Sequence, residues 1–506
     1  MLERKKLVSI FVKENRQYSK QELLSLIQKG KETGLEIIKL LRQFGVLKTV
    51  KNNISKDLSE INDEDVVIVD VTDDSVECKF VFSYVGLIVV KDVVIKCFPK
   101  YLSLDKVETE EQFDYVTGCL KQVVRVLEKY SNSKEPVVKM YNPNEDGGSL
   151  NFLAIILYLL NDYFENGIYT NSIYKIEENG EGEILWDKTI NETFAILNED
   201  GPVYPNYFTS RTIVNDNDYI KRLHEFVLTK CSEEIHTLGL DNLFDNILTV
   251  ELSDETWDSF GDVEYILYRI QQELNVQFNT QKQLLLKALY AYVAQEKVVV
   301  DNDNFSLYGT NSFNLVWEDA CKVVFGNKLD CKIRDLFDDT VEDSNKTLLQ
   351  YIDKPIWKGY GWDERNKKVA KDTLIPDLIS IDKSKSAFRI YDAKYYNVQM
   401  EEHKELGGQP GIESITKQYL YQLAYQKIID HYRITTITNA FLFPTEQKEV
   451  ENRGVVTLPM MEVITVGDNK KLSPIQVVFL PAKKVFDCYL SNTLYEEDLM
   501  LDNESM

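Results

Sequence analysis

The chain reads as a multidomain α/β (α+β) protein, and three features predict this. It has 506 residues, too many for one ordinary core, so two to four domains are expected. Hydrophobic periodicity changes along it: helical near the start, period two over 65–101, helical again over 254–296. The last third then alternates helix, two strands, helix, strand. With 44% hydrophobic and 28% charged residues, the composition is that of a folded globular chain.

The elements follow in order. In "YSKQELLSLIQKG", Ser19 is placed to cap a helix, with Glu22 three residues on as its capping-box partner. Tyr18 and Leu23 are spaced as a hydrophobic staple, and Gly30 is the expected stop. "TGLEIIKLLRQFG" repeats the plan, with Leu35, Ile38 and Leu41 on one face and Gly45 beyond the end. With the strand "VLKTVKN", residues 1–55 suggest a winged-helix-like unit, which reads DNA or binds protein. "DVVIVDVTDD", "ECKFVFSYVGLIVV" and "DVVIKCFPKYL" are expected strands. Residues 108–130 and 148–166 are expected helices, the second buried all round, and "GEILWDKTI" at 182–190 an expected strand. The polar "VDNDN" at 300–304 is the expected boundary. This gives 1–55, a mixed β and helical region 56–300, and a C-terminal domain 301–506.

Composition narrows the function. A formal charge of −24 repels nucleic acid unless basic residues are concentrated locally or a partner supplies them. Seven cysteines without a CxxC pair and four scattered histidines signal neither a disulfide framework nor a zinc site. The N-terminus has no signal-peptide core. The longest apolar run, "FLAIILYLL", is far short of the ~20 residues a membrane helix needs. A soluble cytoplasmic protein is expected, with no membrane partner. No G-x-x-x-x-G-K-[ST] occurs, so no nucleotide is expected to bind a P-loop here.

The chemistry concentrates in "LIPDLISIDKSKSAFRIYDAKYY", residues 374–396. "TLIPDLISI" and "SAFRIYDAKYY" read as strands joined by "DKSKS". Alternation then puts Asp392 and Lys394 on one face with Ala393 turned away. Asp377, fifteen positions before Asp392, can meet it across the hairpin. Two carboxylates on neighbouring strands suit magnesium, the ion that phosphodiester cleavage uses to activate water and offset charge. Asp377 and Asp392 are the expected ligands, with the Ala393 carbonyl. Lys394 is expected to orient or deprotonate the attacking water. "EQK" at 446–448 and "DNK" at 468–470 share the short pattern but have no upstream P-D. The bland alternative is a surface hairpin with an Asp392–Lys394 salt bridge.

Two further elements point to the same place. In "KQYLYQLAY", Gln418, Gln422 and Tyr425 share a helix face that should meet the core, so they must be hydrogen-bonded or touch substrate. Glu318 in "VWEDAC" is a candidate third carboxylate, with Asp319 competing. From Lys354 to Lys371, six basic residues stand against two acids, with Trp357, Tyr360 and Trp362 interleaved. This composition suits a nucleic-acid surface and equally a solvated loop.

"IPDLISI…IYDAK" resembles the PD-(D/E)xK nuclease motif. "LYGTNSFNLVWEDACKVVFGN", "GEILWDKTI", "YVGLIVVKDVVIKCFPKYL" and "PGIESITKQYLYQ" resemble LlaJI-type restriction endonucleases, over roughly 65–490. The resemblance implies a PD-(D/E)xK restriction-endonuclease-like core behind N-terminal domains. It implies magnesium-dependent cleavage (manganese substituting) of double-stranded DNA in host defence. It implies an McrBC-like arrangement with a separate McrB-like AAA+ GTPase subunit, and leaves open a homodimer or higher assembly. It assigns Glu318 as the helix acid, Asp377 as the PD acid, Asp392 and Lys394 as the D-x-K pair, and Gln418 as the helix amide. Ser414 stands where an acid would be unsurprising and is itself a good cap. The alternatives are a non-enzymatic DNA-binding or scaffolding subunit with a residual nuclease fold, and a RecB-like repair nuclease.

Overall fold

The computed structural model describes residues 8–51, 78–104, 107–134, 152–199, 201–215, 218–243, 249–301, 305–337, 345–382, 386–461, 463–466, 470–496 and 499. The chain divides into two compact units. One joins Met1–Pro136 to Leu307–Met506, and the other is Val137–Ser306. The described residues of 8–134 therefore group with those of the C-terminal region.

In the first unit, Ser19 caps the helix Lys20–Ile27 by accepting a hydrogen bond from the Glu22 amide at 3.1 Å. The Glu22 carboxylate reaches Arg16 at 2.6 Å rather than closing the capping box. The helix ends at Gln28, in the left-handed conformation with φ 52°. Gly30, the expected stop, instead precedes the next helix, Lys31–Gln43, as its N-cap. The strand Leu47–Lys51 pairs with Cys78–Phe82, which also pairs with Gln17–Tyr18, giving a three-stranded antiparallel sheet beside the two helices. The expected strand at 65–74 lies outside the described residues.

A second sheet runs Val8–Lys13, Val93–Phe98, Val85–Val90, Ser306–Thr310. Every residue of its two central strands is buried. Its last strand approaches through glycine: Gly86 has φ +135°, and a β-carbon there would lie 2.2 Å from the Tyr308 carbonyl oxygen.

The C-terminal sheet has five strands, in the order Leu378–Asp382, Ala387–Ala393, Thr436–Thr445, Ile475–Pro481, Glu451–Val456. The middle three are parallel and both edge strands antiparallel. Helices Phe313–Val324, Ala482–Ser491 and Glu110–Lys134 contribute to the core on one face, around Trp317 and Phe486. The helix Ile412–His431 covers the other face, against Ile379, Phe388 and Ile390. Trp317 is wholly buried, and its indole N–H donates to the Leu442 carbonyl at 3.1 Å.

The second unit contains helices Phe152–Asn166, Tyr219–Thr237, Val263–Val276 and Thr280–Asp301. Its three-stranded antiparallel sheet runs Ser172–Glu178, Phe208–Val214, Glu183–Ile184. "GEILWDKTI" is a strand only at Glu183–Ile184; Trp186–Glu192 is helical. Ile184, Trp186 and Ile190 are all exposed, so no inner face holds that stretch extended. Its buried Thr189 accepts the Phe208 amide at 2.9 Å instead. The helical stretch expected over 254–296 breaks at Gln277, whose side-chain oxygen takes the amides of Phe278 and Asn279. No described helix is long and apolar enough to cross a membrane.

Gly86→Ala is expected to destabilise the chain by ~1–3 kcal/mol in urea titrations, because backbone must move to admit the methyl. Gly118 lies in an open helical position, and Gly118→Ala is expected to be neutral or stabilising.

Candidate active site

Across the hairpin Leu378 is opposite Tyr391, so the next step outward sets Asp377 against Asp392. Tyr391 and Ala393 turn towards Trp317 and Phe486. Phe388 and Ile390 turn towards Tyr421 and Tyr425 on the opposite helix, and Asp392 is the next residue on that side. Asp392 is 4% exposed. Lys394 follows at the same parity, and its Nζ lies 3.0 Å from Asp392 Oδ1. Asp377 is half-buried, and its Oδ2 accepts the Ala393 amide at 3.0 Å. The three residues read from the strand pattern therefore meet.

The electrostatics follow from burial. Burial, then the hydrogen bond to Asp392 and its negative charge, push the Asp377 carboxyl up to about 8. Lys394 and the Ala393 amide only partly offset this. Burial disfavours the Lys394 cation, but the charges of Asp392 and Asp377 outweigh that and hold its pKa above the usual value. Without a metal, the lysine is the counter-ion of the acid pair.

Glu318 projects from Phe313–Val324 and is ion-paired with Lys322 one turn on. It is near the pair: together with Asp377 it raises the Cys321 thiol, after burial, and both also contribute to raising the Tyr421 hydroxyl. Among the described residues, however, no three His, Cys, Asp or Glu side chains converge closely enough to hold one metal ion. Asp319 is turned away, accepting the Tyr489 hydroxyl at 2.7 Å.

Gln418 is fully buried, and its Nε2 donates to the Ile390 carbonyl at 3.2 Å, two residues before Asp392. Gln422 accepts the Ser473 amide at 3.1 Å, and the Tyr425 hydroxyl donates to the Leu348 carbonyl at 3.1 Å. Each of the three thus bonds backbone in the core, and among the described hydrogen bonds Gln418 makes none to Asp377 or Asp392. The helix is capped by Gly411, which puts Ser414 inside the first turn.

Three residues beside the site were not singled out from sequence. Tyr421 donates to the Ile375 carbonyl at 3.0 Å and fixes the approach to Asp377. Its position three after Gln418 was the available signal. Glu413, one residue before Ser414, bonds Lys417, and that lysine first and Lys394 last hold it below the usual carboxylate range. Glu14 accepts the Tyr395 hydroxyl at 2.5 Å and the Lys100 amide at 3.2 Å, clamping the residue after Lys394 to the N-terminal region. No local pattern announces a contact across 381 positions.

Two carboxylates and a lysine thus converge at the end of a parallel strand covered by helices on both faces. The chain belongs to the LlaJI restriction endonuclease family, whose profile matches residues 84–483. It is 30% identical over 430 residues to the Type II restriction enzyme BsuMI component YdjA of Bacillus subtilis (strain 168), covering 83% of this chain and 82% of that one. It is therefore a component of a restriction system. A solved chain from a half-complex of the tetradecameric assembly of Thermococcus gammatolerans McrB AAA+ hexamers with bound McrC is 14% identical. It aligns over 96% of this chain and 99% of its own length, with a TM-score of 0.39.

The Asp377 proton carries a stability prediction. A proton bound more tightly in the folded chain favours folding fully below the unfolded carboxylate value of about 4. That contribution is lost as pH rises through about 8. In metal-free buffer, Asp377→Asn is therefore expected to gain stability relative to the wild type between pH 5 and 8.5, measured by urea unfolding. A constant difference would remove the raised Asp377 pKa.

Proposed function

We propose that this chain is the nuclease subunit of its restriction system, hydrolysing phosphodiester bonds of double-stranded DNA from a PD-(D/E)xK core. The observation that carries the reading is that Asp377 and Asp392 lie opposite each other on adjoining strands, with Lys394 Nζ 3.0 Å from Asp392 and burial raising the Asp377 pKa. Such a pair fits a divalent ion, and magnesium favours carboxylate oxygens. Asp377, Asp392 and the Ala393 carbonyl would hold the ion, with manganese as a substitute. Bound there, it would offset charge on the phosphoryl oxygens and acidify a water.

The chain's own groups do the rest. Lys394 orients the attacking water and balances developing charge; acting as a base would require the ion to relieve the two carboxylates that now favour its cation. Glu318 would hold a metal water from the rim rather than the ion. Gln418 acts as a positioning residue by fixing the Ile390 carbonyl, two residues before Asp392.

The partner reading rests on the resemblance to McrBC-like systems, in which a separate McrB-like AAA+ GTPase subunit would supply nucleotide hydrolysis. The Bacillus relative is itself named a component of an enzyme. In the second unit, Trp186, Phe194, Ile196, Leu197 and Val203 stand exposed, Phe194 at 92%, and rings and aliphatics of this kind suit a protein interface. The two helices and small sheet of the N-terminal region, read as a winged-helix-like unit, would contact DNA or that partner. The whole would act in the cytoplasm.

The test is cleavage of unmethylated circular DNA with magnesium, with and without the NTPase subunit and GTP. Lys394→Ala is expected to lose cleavage by about 10²–10⁴-fold while still binding magnesium. Asp392→Ala is expected to lose cleavage and magnesium affinity together. Full cleavage by Asp392→Ala would overturn the reading. A requirement for circle-free ends would favour a repair nuclease.

A further inference from the structure

Upstream of Asp377 the chain makes a second hairpin, in which Ile356 pairs with Val369 and Trp357 with Lys368. Its base is closed three times. The Ala370 amide donates to the Pro355 carbonyl at 2.8 Å, Lys354 Nζ to the Lys371 carbonyl at 2.9 Å, and the Thr373 hydroxyl to the Asp353 carbonyl at 2.7 Å. At its tip the Trp362 amide bonds the Gly359 carbonyl at 3.1 Å, and Gly361 takes φ +78°. The hairpin is thus a defined projection.

Its side chains are the wrong ones for a surface loop. Trp357 is 70% exposed and Tyr360 wholly exposed; Ile356, Trp362 and Val369 are also exposed. Two-residue strands provide no core to bury them, and none belongs to the cores around the C-terminal sheet. The same segment carries a surplus of four positive charges in a chain of formal charge −24. Its Glu364 is already engaged by Lys358 and, at 4.0 Å, by Lys367. Lys368 lies 5.9 Å from the centre of the Trp362 ring.

The projection is tied to the acid pair. Tyr421 holds Ile375 to the helix, and Asp377 follows two residues later. Asp377 is six residue steps beyond Lys371, at most about 22 Å of extended chain, or some six base-pair rises. Cations suit phosphates, and exposed rings suit base faces, which are available only where bases are unstacked.

We infer that the hairpin Lys354–Lys371 is a finger that grips the DNA beside the cut. Its basic residues lie on phosphates, and Trp357 and Tyr360 stack on bases of a locally opened strand. This rests on the nuclease reading, since it names the contact that brings substrate to that site.

Binding in metal-free buffer to the Asp392→Ala chain separates the two. The probes are a duplex with a central unpaired bubble, a fully paired duplex of the same sequence, and a single strand. Tyr360→Ala and Trp357→Ala are expected to weaken bubble and single-strand binding about tenfold each, with smaller effects on the paired duplex and unchanged melting temperatures. Joint Lys367→Ala and Lys368→Ala is expected to reduce the salt slope of log K by about one to two. Equal DNA affinity in all variants, or no DNA binding by the folded parent, would overturn the finger. Loss of only the partner subunit's binding would overturn it in favour of a protein contact. Hairpin-dependent DNA binding in a wild-type chain that never cleaves would overturn the nuclease reading and leave the finger standing.

Discussion

Two carboxyl groups pressed together across one antiparallel register are the constraint around which the C-terminal sheet is organised. Burial and the neighbouring carboxylate disfavour the Asp377 anion, and Lys394, 3.0 Å from Asp392, is the cation that offsets them. This arrangement survives only if the register is fixed, because a slip of one residue would turn Asp392 to the opposite face. Several contacts fix it. Gln418 holds Ile390 from one side, and the Lys394 amide donates to the Leu442 carbonyl at 2.9 Å. The same carbonyl takes the Trp317 indole from the other face. The polar helix face and the buried tryptophan thus serve the acid pair through backbone carbonyls.

The N-terminal region reinforces the same strand. Tyr395 follows Lys394, and its ring packs 5.2 Å from that of Phe313 while its hydroxyl goes to Glu14. Glu446, just beyond the neighbouring strand Thr436–Thr445, takes the Ser103 amide and the Tyr115 hydroxyl, each at 2.6 Å. Segments from both ends of the first unit therefore meet at the ends of the parallel strands. In open α/β sheets this is where ligands bind. The grouping of 1–136 with 307–506 is the large-scale consequence of these contacts.

What could be read from the sequence was local and periodic. Asp377, Asp392 and Lys394 were legible because strand alternation and a short connection dictate which side chains meet. The helix over 412–431 was legible as a helix, but not the use of its glutamines: hydrogen bonding to backbone and contact with substrate leave the same pattern. Gly30 is not the stop of the first helix because Gln28, two residues earlier, takes the left-handed cap. "GEILWDKTI" misled because alternation forecasts a strand only where one face is buried. The Glu14–Tyr395 clamp was invisible, being set by tertiary packing.

In the proposed function, Asp377 and Asp392 together hold a divalent ion. Crystals soaked with manganese, measured for anomalous scattering, would test it most directly. A single peak in contact with both Asp377 and Asp392, absent from Asp392→Ala crystals, is the predicted result. An empty site at saturating manganese would contradict the account.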